Sequence, residues 1–136
     1  MTRFPQSVRD LVQVRAQKRC EYCHKPDVFS PHTPHIDHII PLKHNGTDNL
    51  ENLAWACFQW NVCKGTDFAS IDGQTGEVTR LFDPRTQNWN DHFVLDGAEL
   101  IGKTAIGRVT IRILQMNHAD QIETRFVLIE NNLWED

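Results

Sequence analysis

The chain has 136 residues, 40% of them apolar and 24% charged, with a formal net charge of −4. That length suits one domain with a hydrophobic core rather than two. No uninterrupted apolar run approaches the roughly 18 residues of a membrane span, and the acidic balance argues against indiscriminate binding to nucleic acid. The sum hides an asymmetry, because residues 1–65 carry eight Lys/Arg against six Asp/Glu, whereas residues 66–136 carry six against twelve. Five of the seven histidines also lie in the first part, so a polyanionic partner is expected there and no membrane partner is expected.

The N-terminus lacks the basic start and apolar segment of a secretory signal, which predicts a cytoplasmic location and reduced thiols. Four cysteines in that setting, two of them spaced C-x2-C, read as metal ligands rather than as a disulfide framework. Ser7 and Asp10 have the spacing of a capping box, and Val8, Leu11, Val12 and Ala16 recur with helical period, predicting a helix over 7–19. Its polar side holds Arg9, Arg15, Lys18 and Arg19, either as phosphate contacts or as a solvated basic face. Cys20 and Cys23 follow in a turn able to aim two sulfurs at one point.

Pro26, Pro31 and Pro34 mark a loop, and 35–40 reads as a short strand terminated by Pro41. Residues 43–49 are dense in turn formers. A second strand is expected at 52–56 with Leu53 and Trp55 on one face. A short helix then runs from beyond Cys57 through Asn61 to Lys64 and is capped by Gly65. Hairpins are expected over 71–78 and over 93–101, the latter turning at Asp96-Gly97. Ile106, Val109, Ile113 and Met116, then Ile122, Phe126, Ile129 and Leu133, suit two helices, with Asn117 ending the first and, with Asp120, capping the second. Alternation over 108–113 leaves a strand open.

Hydrolysing a phosphodiester requires an activated water, a cation beside the phosphoryl oxygens and a fixed geometry. Asp37 can give Mg2+ a hard oxygen ligand, and the imidazole of His38 can take a proton from water near neutral pH. Neighbours in an ideal strand point to opposite faces, so the strand must twist or bulge if both are to reach one phosphate.

Asp37-His38-Ile39-Ile40-Pro41, Asn49-Leu50-x-Asn52-Leu53, Cys57 and Asn61-x2-Lys64-Gly65, in that order between Cys20 and Gly65, resemble the HNH endonuclease family. Leu81-Phe82-x-Pro84-Arg85 and Trp89-x2-His92-Phe93 are similar to bacterial HNH proteins of this size. The resemblance implies an α+β fold, with a ββα-metal core and N-terminal helix in residues 1–66 and a hairpin-plus-helices extension packed on it in residues 67–136. It implies His38 as general base, Asn52 as the catalytic-loop residue that orders the loop, and Asp37 and Asn61 as ligands of Mg2+ or Mn2+. The substrate it implies is nucleic acid, foremost double-stranded DNA. His35 and Lys64 are the candidate phosphate contacts. His32 and His44 sit in loops, and Trp55, Trp60 and Trp89 are expected in the core more than on bases.

One part of the family pattern is broken. Members with a structural zinc carry two C-x2-C pairs, and here Cys20, Cys23 and Cys57 lack a fourth sulfur because Trp60 stands at its place. Cys63 is a poor substitute, being rotated roughly 240° from Cys57 at helical pitch, and His24 adjoins Cys23 too closely to chelate beside it. Either zinc is held by the three cysteines with water or an adventitious ligand, or no zinc is bound and Trp60 fills the vacancy by packing, which is the favoured alternative. The expectation is a metal-dependent DNA endonuclease. The alternatives are a non-catalytic nucleic-acid-binding module on the same scaffold and a structural zinc-knuckle interaction domain, which leaves Asp37, His38 and Asn61 unexplained.

Overall fold

The computed structural model describes residues 4–134. It runs α1 (Gln6–Arg15), β1 (His35–His38), β2 (Leu53–Ala56), α2 (Phe58–Lys64), β3 (Ala69–Ile71), β4 (Val78–Arg80), α3 (Trp89–His92), β5 (Phe93–Asp96), β6 (Glu99–Gly102), α4 (Ala105–Leu114) and α5 (Ala119–Glu130). The strands pair as three separate antiparallel hairpins, β1–β2, β3–β4 and β5–β6, so the architecture is α+β with small sheets. Among the described residues no helix is long and apolar enough to cross a membrane.

The first helix starts and stops earlier than its sequence suggests. Pro5 occupies the N-cap without a side-chain bond, and Ser7 lies inside the helix, so the expected capping box does not form. A proline with φ −60° is already set for a helix entry, which leaves Ser7 no capping position. The helix ends at Arg15 because Gln17 (φ 59°) and Lys18 (φ 56°) turn left-handed and reverse the chain into the cysteine turn. Two of its basic side chains serve the fold. Arg9 donates to the Pro34 carbonyl (3.1 Å) and lies over the Trp55 ring, while Arg15 donates to the carbonyls of Leu50 and Leu53.

Strand β2 is buried along its whole length and divides the core. Leu53 and Trp55 face α1 and pack with Val12 and Ala16; Ala54 and Ala56 face the other way, into a larger cluster with Cys20, Tyr22, Cys23, Cys57 and Trp60. Each fully buried Val or Leu in such a cluster contributes roughly 1.5–3 kcal/mol. The same cluster takes in Phe82, Phe93, Leu100, Leu114 and Met116, so the acidic half of the chain buries one face against the cysteine half. Polar contacts reinforce that junction. Glu21 pairs its backbone N–H with the Trp55 carbonyl, accepts from the Trp55 N–H, and forms an ion pair with Arg85, and the Trp89 indole donates to the Tyr22 carbonyl (2.8 Å).

Within the second half, both expected hairpins form. Residues 108–113 are helical within α4, whose N-cap Thr104 accepts from the Gly107 N–H. Gly107 is needed because a Cβ there would collide with the His92 carbonyl, where α3 meets the helix. Asn117 caps nothing. It braces β6 by accepting from the Leu100 N–H and donating to the Leu100 carbonyl, and His118 is the residue that caps α5.

Candidate active site and cysteine cluster

The β1–β2 hairpin and α2 bring the chemistry-bearing residues into one region. Asp37 pairs with Ala54 and His38 with Leu53 at the end of β1. Strand pairing stops there, and Asn52 takes over from the ladder. Its side chain accepts from the Ile40 N–H (2.9 Å) and donates to the carbonyls of Ile40 (2.9 Å) and Thr47 (2.8 Å), closing the loop between the strands. Gly46 lies inside that loop, where a Cβ would overlap the Ile40 carbonyl. Asn52 therefore acts on backbone, not on the cleft.

A cleft of about 610 Å3 opens over this end of the hairpin, and its wall includes His35, Asp37, His38, Asn61, Arg9 and Lys43. Asp37 and His38 both contribute to it despite their alternation, because Asp37 sits at the floor, 4% exposed, while His38 stands at the side with 17% of its side chain accessible. The His38 ring hydrogen-bonds through Nε2 to Asp48 Oδ1 at 2.8 Å, and the Phe4 ring flanks it.

Asp37 is more tightly held than its sequence suggests. Tyr22 donates its hydroxyl to Oδ2 (2.7 Å), and Lys64 donates to Oδ1 (3.1 Å). Burial nevertheless raises the Asp37 pKa, against the lowering influence of Lys64 and Tyr22. The carboxylate thus lacks enough positive charge around it, and each oxygen keeps a lone pair beyond its one donor. Asp37 and Asn61 both line the cleft, and a carboxylate and a carboxamide carry the oxygens that a hard divalent ion takes as ligands.

Lys64, expected at a phosphate, is 2% exposed, and its ammonium donates to Asp37, the His38 carbonyl (2.9 Å) and the Ile39 carbonyl (3.4 Å). The α2 geometry turns it inward under the hairpin. His35 does line the cleft, but burial and nearby Arg9 lower its pKa, so near neutral pH it offers a neutral N–H rather than a charge. Sequence reasoning missed Tyr22 and Asp48. Each lies ten or more residues from the residue it serves, and only the fold brings Asp48 back across its loop to His38.

The second cluster is separate from the cleft. The Sγ atoms of Cys20, Cys23 and Cys57 lie within 4.8 Å of one another, all buried, and Cys23 and Cys57 are 3.6 Å apart. Burial pushes the Cys20 thiol up, and hydrogen bonds from Cys20 and Cys23 hold Cys57 well above the ordinary thiol range. Burial would also raise Cys23, but the side chains of Cys20, Cys57 and Trp60 hold it well below that range. Cys63 is absent from the cluster, and His24 stacks on Trp89 instead.

These two groupings lie within one stretch that comparison with known proteins singles out. Residues 20–67 match the model of the HNH endonuclease family. No curated protein and no solved structure matches the chain. The HNH segment contains β1, β2 and α2 together with the three clustered cysteines, which suit the HNH type flanked by C-x2-C. The family points to nuclease activity on nucleic acid with a divalent metal, and the three-cysteine cluster is a second place where a metal could be held.

Proposed function

We propose that the protein is a metal-dependent endonuclease that hydrolyses phosphodiester bonds in double-stranded DNA, with β1, β2 and α2 as a ββα-metal core and residues 67–136 as an extension packed on it. The observation that carries this reading is the cleft that gathers Asp37, His38 and Asn61 inside the HNH segment. An ionised Asp48 only accepts hydrogen bonds, so Nε2 of His38 carries its proton toward Asp48 and Nδ1 is left with a lone pair. That nitrogen takes the proton of the attacking water, and Asp48 stabilises the imidazolium that results. Mg2+ or Mn2+ would be held by Asp37 and Asn61 and supplies charge that offsets the phosphoryl and leaving oxygens. Asn52 fixes the loop that carries Asp48, and Arg9, Lys43 and His35 offer donors along the cleft to the flanking strand.

The burial of Asp37 between Tyr22 and Lys64 favours a second reading, a nucleic-acid-binding module without catalysis. Plasmid nicking separates the two. Wild type is expected to cut with Mg2+ or Mn2+ and not with chelator, and His38→Ala is expected to lose cutting by roughly 100-fold or more. Equal cutting by both proteins would rule out His38 as the base, and DNA binding without cutting under either metal would favour the module.

A further inference from the structure

The three buried sulfurs take no part in the cleft chemistry, and they are already arranged as ligands. Sulfurs sharing one ion through bonds of about 2.3 Å lie roughly 3.8–4.0 Å apart, so a cluster whose Sγ atoms fall within 4.8 Å of one another closes on an ion with small side-chain movements. The backbone is set as well. The N–H groups of Tyr22 (3.4 Å) and Cys23 (3.5 Å) both point at the Cys20 sulfur, the pattern of donors that steadies a bound thiolate.

Trp60 stands at the sequence position of the missing fourth cysteine, is 1% exposed and packs in the same buried cluster as the three sulfurs. An indole has an N–H donor and no lone pair to offer, so these residues do not fit a tetrahedral zinc with four protein ligands. The Trp60 N–H itself has no hydrogen-bond partner in its buried setting, and Trp60 packs in one buried cluster with Cys20, Cys23 and Cys57. A metal-bound Cys23 sulfur is the acceptor this N–H lacks. Three thiolates around a divalent ion leave one negative charge. Burial lowers the pKa of Arg125, whose guanidinium donates to the Ala98 and Met116 carbonyls, and the charge on Cys23 opposes that shift.

We propose that Cys20, Cys23 and Cys57 form a three-sulfur site for a soft divalent cation that needs no fourth protein ligand, with Trp60 closing the remaining side and donating its indole N–H to the Cys23 sulfur. On binding, three metal–sulfur bonds form and whatever protons the sulfurs still carry pass to solvent, with no change of oxidation state. Pb2+ is satisfied by three sulfurs whereas Zn2+ seeks a fourth ligand, so the two ions separate this site from the family's four-ligand zinc.

The test titrates the whole protein with Pb2+ and, separately, Zn2+, following sulfur-to-metal charge-transfer absorption and the alkylation of each cysteine by mass spectrometry. One Pb2+ per chain is expected to protect Cys20, Cys23 and Cys57 and to leave Cys63 reactive. Trp60→Phe, which keeps an aromatic ring and removes the N–H, is expected to weaken Pb2+ roughly tenfold, and Trp60→Cys to tighten Zn2+ by at least roughly tenfold. Zn2+ held by wild type as tightly as by Trp60→Cys would overturn the proposal, as would Pb2+ that leaves the three thiols open to alkylation. If Trp60→Cys does not fold, Cys57→Ser must still abolish the charge-transfer band while Cys63→Ser keeps it; the reverse would overturn the proposal. The outcome is independent of nicking, since neither ion needs the cleft.

Discussion

Replacing Lys64 with Met keeps the length of the side chain and removes its charge from beneath the β1–β2 hairpin. The cost follows from the surroundings. Lys64 and Asp37 are 2% and 4% exposed, and the ammonium serves the Asp37 carboxylate and two backbone carbonyls at 3.1, 2.9 and 3.4 Å. Breaking a buried pair by removing one partner costs about 3–5 kcal/mol, because the remaining charge is left without compensation. At an m-value of roughly 2 kcal/mol/M this moves the urea midpoint down by about 2 M, read from tryptophan fluorescence. The pH dependence supplies a second check. Asp37 already has a raised folded-state pKa, so its contribution to stability is greatest below the unfolded value and is lost as pH rises through the folded one. Without Lys64 the folded value climbs further, so the deficit of Lys64→Met is largest at neutral pH and narrows as pH falls toward the unfolded pKa of about 3.9. Adding Asp37→Asn to Lys64→Met is expected to recover most of the loss. A destabilisation below about 1 kcal/mol, or one that does not change with pH, would refute the view that Lys64 is an internal counter-ion.

Asp48→Asn should lower nicking roughly tenfold to 100-fold, because the His38 ring loses the carboxylate that orients it; unchanged nicking would remove Asp48 from the mechanism. Asn52→Ala deletes three hydrogen bonds that close the loop between β1 and β2, with an expected loss of about 1–3 kcal/mol in urea and faster proteolysis within residues 41–51. Asp72 on the β3–β4 turn is held below the ordinary carboxylate range by the Arg108 guanidinium. Its contribution is therefore present above the unfolded pKa and is lost as pH falls from about 4 through the depressed folded value. Melting curves of Arg108→Gln should show a flatter acid limb than wild type, and parallel limbs would exclude this pair as a source of acid sensitivity.

Much of the local structure was legible because each signal sits within a few residues of the element it marks. Gly65 after Lys64 ends α2, and Asp96-Gly97 turns the β5–β6 hairpin, with Gly97 at φ 62°. The helical period of Ile106 to Met116 outweighed the local alternation, since α4 has the β6 hairpin and α2 to pack against. Boundaries were less legible. The helix over 7–19 lost its last residues to the left-handed pair Gln17 and Lys18, whose conformation serves the cysteine turn rather than the helix. Its position between two helical patterns marks Asn117 as a cap, but a carboxamide can satisfy both backbone groups of a strand residue, and Leu100 lies within its reach.

By itself, the sequence determined which residues are available for chemistry: Asp37 and His38 at the end of a strand, Asn61 on the following short helix, and three sulfurs with a tryptophan where a fourth would stand. The spacing of those residues along local elements sufficed for that. Only the tertiary structure decided what each side chain faces. It turned Lys64 from the solvent to Asp37, brought Tyr22 and Asp48 to the cleft residues, and packed Trp60 into the cluster that holds the three sulfurs. The physical reason is that a buried charge or polar group must find its partner wherever the packed chain offers one, and that choice depends on contacts far apart in sequence.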